Sequence, residues 1–117
     1  MVARPLLRFV FTEGGENKKY RDEIDSSAGV VVLAADRSDT SHWIAVGRAR
    51  QRFGLQATAL GLKYSFINQP VEVAALRPQF ATSLGLGERR PDIVIRFGTG
   101  PDLPKSLRRA PEQVIRA

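Results

Sequence analysis

Apolar positions along the chain recur at two spacings, and the change from one to the other predicts the elements. Residues 16–26 are densely charged, with Tyr20 and Ile24 one helical turn apart, which predicts a short one-sided helix. Gly29 then opens the unbroken run Val30-Val31-Val32-Leu33-Ala34-Ala35, the pattern of a strand covered on both faces. Asp36 to Ser41 is a polar loop, and either Asp39 or Ser41 can cap the next helix. From His42 to Leu60, Val46, Ala49, Phe53, Ala57 and Leu60 fall at steps of three and four. Leu55, Ala59 and Leu62 add a second row, so a long helix with a wide apolar stripe is predicted. Gly61 ends it.

Tyr64 to Ile67 is a short strand candidate, and Asn68-Gln69-Pro70 a turn. A helical pattern runs from Glu72 to Leu84, with Leu76, Phe80 and Leu84 in one row. Pro78 inside it either kinks that helix or begins a second short one. Ile93 to Phe97 is a clear strand closed by Gly98. Beyond it the proline- and glycine-rich segment can form neither a long helix nor an interior strand, and predicts an extended tail. Val114 and Ile115 at its end suit an edge strand or a neighbour's surface. The expectation is a single α+β domain over residues 1–117, a small sheet with a long central helix. That helix is too apolar for three strands to cover, which predicts burial against a second copy or a missing segment.

Composition narrows the chemistry. Hydrophobic residues are 43% and charged residues 26% of the 117, a globular balance. No apolar run approaches the roughly 18 residues of a membrane span. The lead-in Leu6 to Phe11 lacks the long apolar core and cleavage site of a signal peptide, so a cytoplasmic location without membrane contact is expected. The absence of cysteine excludes disulfides, thiol nucleophiles and thiolate zinc sites. With His42 as the one histidine, a hydrolase triad would have to run through it, and no Ser–acid pattern points there. Trp43 beside it is read as a core anchor. The net charge of +6 is carried by the second part of the chain, where residues 42–117 hold twelve basic and five acidic residues. Arginine's fixed fork suits phosphate or carboxylate, so the expected partner is anionic. Lys105, Arg108 and Arg109 are the densest local anion candidate, against the alternative of a solvated basic tail. Arg48, Arg50 and Arg52 on the long helix read as solvated or ion-paired, and Arg89-Arg90 as loop surface.

The residues from His42 to Leu62 resemble the long dimer-core helix of the FMN-dependent nitroreductases. The other landmarks stand around it: the strand Val30–Ala35, the segment Phe66-Ile67-Asn68-Gln69-Pro70-Val71-Glu72, Leu84-Gly85-Leu86, Arg96-Phe97-Gly98 and the basic tail Leu103 to Arg109. The likeness spans residues 26–114 and is to the C-terminal portion of the family's long bacterial branch. It implies a partial nitroreductase fold and FMN as cofactor. It implies hydride transfer from NAD(P)H to nitro or quinone-like acceptors, and a homodimer. By position, backbone amides of Asn68 and Gln69 face flavin N5, Phe66 and Ile67 pack near the ring, and Lys105, Arg108 and Arg109 hold the phosphate. The family's N-terminal Arg-x-Ser-x-Arg-like phosphate motif has no counterpart here, so a complete site is expected to need a second chain or a further N-terminal half. The alternatives are a dimerising or inactive flavin-binding remnant, and a small basic module for nucleic acid or another anionic partner. Against nucleic acid stand basic residues scattered over helix, loop and tail, with no aromatic platform among them.

Overall fold

The computed structural model describes residues 15–115, with side chains from Lys18 onward. The lead-in Leu6 to Phe11 lies outside the described residues. The elements in order are α1 (Gly15–Asp25), β1 (Gly29–Ala35), α2 (Thr40–Ala59), β2 (Lys63–Phe66), α3 (Gln69–Glu72), α4 (Arg77–Ser83), β3 (Arg90–Gly98) and α5 (Pro111–Val114). The fold is therefore α+β. The last strand is the middle one: the sheet order is β1-β3-β2, antiparallel throughout.

Alternation along β3 sends side chains to two covered faces. On one face Val94 joins Val30 of β1, Ile24 of α1, Ile67, Val71 of α3 and Phe80 of α4 in a buried cluster flanked by Tyr20, Val32 and Leu84. On the other, Phe97 and its cross-strand partner Tyr64 meet Phe53 of α2 edge to face, each pair of ring centroids 5.9 Å apart. Two covered faces explain the apolar run of β1, as expected. Its position is different: β1 is an edge strand, with Val31 to Ala34 half-buried. Antiparallel pairing with β3 uses one side of it, and a bulge at Asp92 shifts the register between Leu33 and Ala34.

The long helix starts two residues earlier than its hydrophobic pattern, because Asp39 caps it through the His42 amide. Leu60 is its C-terminal cap residue, and Gly61 comes next at φ +69°, a left-handed conformation that costs a glycine nothing. Its stripe is narrower than the periodicity predicts. Val46, Gly54 and Ala57 are buried, but Ile44, Leu55 and Leu60 are 59%, 63% and 64% exposed. A three-stranded sheet contacts one side of a helix, and these residues point elsewhere. Trp43 is corrected from core anchor to half-exposed surface residue: at the first turn it stands at the sheet margin, where the Arg90 guanidinium lies 5.5 Å from its ring centroid.

Pro78 takes the second of its two predicted roles, in the first turn of α4. Segment 69–83 is two short helices, because the chain turns at Val73 to Leu76 and each begins with a proline in its first turn. The tail from Thr99 to Ala110 is extended and exposed throughout. Val114 is in the single helical turn α5 instead of an edge strand.

Candidate functional site

The segment from β2 into α3 gathers the residues that the sequence singled out. β2 ends at Phe66, opposite Ile95, and the ladder is then completed by other means. The Ile67 amide donates to the Val94 carbonyl, and the Asn68 carboxamide oxygen accepts from the Val94 amide at 2.9 Å. One side chain thereby supplies the acceptor that the next residue of β2 would have offered. The Asn68 carbonyl takes the amides of Val71 and Glu72, closing α3. Arg77 locks the far end by donating from Nε to the Val71 carbonyl at 2.7 Å.

This geometry divides the predicted flavin residues. The Ile67 side chain is 1% exposed within the core cluster. The Asn68 side chain is engaged with β3. Phe66 is half-exposed on the α2 side of the sheet, with the Arg50 guanidinium 5.1 Å from its centroid and 5.7 Å from that of Tyr64. The backbone amides of Asn68 and Gln69 donate to no other described residue, and both residues are half-buried. Pro70, next in line, has no amide proton at all. Two adjacent unpaired donors on fixed backbone are the feature here that can meet an acceptor atom of a ligand.

The predicted phosphate cations lie on the tail and make no hydrogen bond to this turn among the described residues. Lys105, Arg108 and Arg109 are exposed on the tail, where Arg108 reaches only the Ser106 hydroxyl at 3.5 Å. None of the three is paired to a carboxylate among the described residues. The tail leaves β3 at Gly98, beside Lys63, the first residue of β2, whereas the amide turn comes after its last residue. Lys63 ties the tail down by pairing with Asp102, and this contact holds the Asp102 carboxyl below the usual carboxylate range.

No protein-family model, no curated protein and no solved structure matches this chain.

Two other arrangements bear on chemistry. Asp39, Ser41 and His42 are clustered, but as a cap. Ser41 Oγ donates to Asp39 Oδ1 at 2.7 Å, and His42 Nδ1 lies 2.7 Å from the same oxygen. The hydroxyl also lies 3.3 Å from His42 Nδ1, so all three groups converge on the capping carboxylate. Those contacts, with Ser41 foremost and His42 next, hold the Asp39 carboxyl far below its ordinary range. Among the described residues no three His, Asp or Glu side chains are grouped to bind a metal ion. No described helix is long and apolar enough to cross a membrane.

Sequence reasoning missed Arg50, expected as solvated or ion-paired and found half-buried over two rings. The signal was present: Arg50 lies four residues after Val46 and three before Phe53, on the sheet-facing side, while Arg48 and Arg52 are exposed.

Proposed function

We propose that the chain is the C-terminal, FMN-binding portion of a nitroreductase-type oxidoreductase, passing hydride from NAD(P)H to nitro or quinone-like acceptors, and that it works as a homodimer. The observation that carries this reading is the pair of Asn68 and Gln69 amides, unpaired among the described residues, after the half-exposed Phe66. A reduced flavin gains charge along one edge of its ring, and fixed donors stabilise such charge without reorganising. FMN when bound supplies the hydride chemistry; this chain supplies position and electrostatics.

The fit is residue by residue. The two amides suit an acceptor edge, and Phe66 offers an apolar face. Ile67 takes part through its backbone alone, since its side chain fills the core. Lys105, Arg108 and Arg109, free of carboxylates among the described residues, suit a phosphate dianion. The amide turn follows the Phe66 end of β2, whereas the tail leaves β3 beside the Lys63 end. That separation favours a pocket shared between two copies, with the outer side of α2 (Ile44, Leu55) as the surface that brings them together.

The test is flavin binding. Addition of protein quenches FMN fluorescence, and the Arg108→Ala/Arg109→Ala double variant weakens the affinity about tenfold or more, as loss of charge-assisted contacts requires. Absence of quenching overturns the reading. Salt-sensitive oligonucleotide binding in its place supports a basic binding module, for which Arg50 packed on Phe66 would be the aromatic contact.

A further inference from the structure

A second donor-rich basin lies away from the amide turn, at the Gly98 end of the sheet. Two adjoining hollows of about 490 and 450 Å³ share Lys63, Tyr64, Arg96, Thr99 and Leu103 in their walls. The chain is drawn tight beneath them. The Ala28 amide donates to the Phe97 carbonyl, and a Cβ on Gly98 would stand 3.2 Å from the Ala28 nitrogen.

We propose that this trough binds a phosphate monoester, with Arg96 and Lys63 as its cations. Arg96 is on the central strand, its side chain 29% exposed. Its Nε is buried without a hydrogen-bond partner, and its ion pair with Glu23 is long, at 3.6 Å, beyond hydrogen-bonding range. A half-buried guanidinium whose enclosed Nε has no hydrogen-bond acceptor is costly, and a better acceptor would relieve it. Lys63 approaches from the neighbouring strand, paired with Asp102 on the exposed tail. Ser65, opposite Arg96 across the ladder, and Thr99 add hydroxyls with no partner among the described residues. Two cations and two hydroxyl donors from separate positions suit the three non-coplanar oxygens and the double charge of a phosphate ester better than the two coplanar oxygens of a singly charged carboxylate. Leu62, Pro101 and Leu103 line the outer hollow and give the ester's organic part an apolar wall. This site uses none of the residues of the proposed flavin pocket, so either reading can fail alone.

The experiment is a ¹⁵N–¹H titration of the full chain with phenyl phosphate, inorganic phosphate and benzoate. The expected result is saturable shifts of the Ser65, Arg96 and Thr99 amides with phenyl phosphate, weaker binding of inorganic phosphate, and benzoate weaker still. Arg96→Gln lowers phenyl phosphate affinity about tenfold or more, and Arg108→Ala/Arg109→Ala leaves it unchanged. Lys63→Gln, on an exposed side chain, gives the same direction of change in a variant whose fold does not depend on the substituted residue. Shifts that do not saturate, benzoate binding as tightly as phenyl phosphate, or undiminished affinity in both the Arg96 and Lys63 variants overturns the proposal.

Discussion

Replacing Asn68 with alanine is the sharpest test of how the candidate site is held. The carboxamide oxygen is the acceptor for the Val94 amide at 2.9 Å, and Val94 is fully buried on the central strand. Alanine removes the acceptor and leaves that donor enclosed. A buried unsatisfied amide costs about 1–3 kcal/mol, more than the net worth of an ordinary hydrogen bond, because water cannot replace the lost partner. Urea denaturation followed by circular dichroism should show this loss of stability with the slope unchanged. Hydrogen exchange at the Val94 amide should quicken roughly 5- to 140-fold, the same energy as a ratio. Asn68→Asp retains an oxygen acceptor and should lose less. A destabilisation below about 0.5 kcal/mol in Asn68→Ala, with Val94 protection unchanged, would refute the idea that this side chain completes the ladder. The result also governs functional assays. If stability falls as expected, lost flavin binding in Asn68→Ala reports a disturbed turn, because the proposed flavin donors are backbone amides that only a proline substitution would delete.

Other substitutions check the rest of the structure. Phe80→Ala empties the centre of the core cluster, where Phe80 is 0% exposed, and should cost about 3–5 kcal/mol by thermal or chemical denaturation. Leu55→Ala, on the outer side of α2, should cost under about 0.5 kcal/mol in the monomer; a larger, concentration-dependent loss reports that a second copy covers it. Gly54→Ala puts a Cβ 2.7 Å from the Tyr64 hydroxyl oxygen. Since Tyr64 is packed against Phe53, the overlap should cost about 1–3 kcal/mol, and a neutral effect would show that the ring moves freely. Asp39 contributes pH-dependent stability. Its carboxyl is depressed in the folded chain, so its contribution is full above the unfolded value, near 4, and declines as pH falls below that toward the folded value. Asp39→Ala should lower helical ellipticity at neutral pH and flatten the acid limb of the stability curve; an unchanged acid limb would show that the cap is not coupled to folding.

Local chemistry wrote much of this fold into the chain. The β-branched run at Val30, the steps of three and four from Val46 to Ala57, the capping Asp39 and the stop at Gly61 each specify an element through neighbours a few residues away. Pro78 specified a break but left two ways to make it, because kinking one helix and starting another satisfy the same missing amide proton. The sequence also named the turn at Asn68 and Gln69 and the extended basic tail, while leaving open whether another surface covers that tail.

What only the tertiary structure decided depends on partners distant in sequence. Nothing local places β3, the last strand, between β1 and β2, or makes β1 an edge; those arise from which backbone groups pair across some sixty intervening residues. The division of the α2 apolar surface into a buried side and an exposed one comes from the narrow sheet beneath it. Asn68 as a stand-in for a missing strand residue, Arg50 against Phe66, and Arg96 with its Nε lacking a hydrogen-bond partner are likewise long-range facts. Periodicity counts apolar positions along one element, whereas burial and polar pairing depend on the element that comes to lie opposite, so the chain announced its helices and strands and left their neighbours to packing.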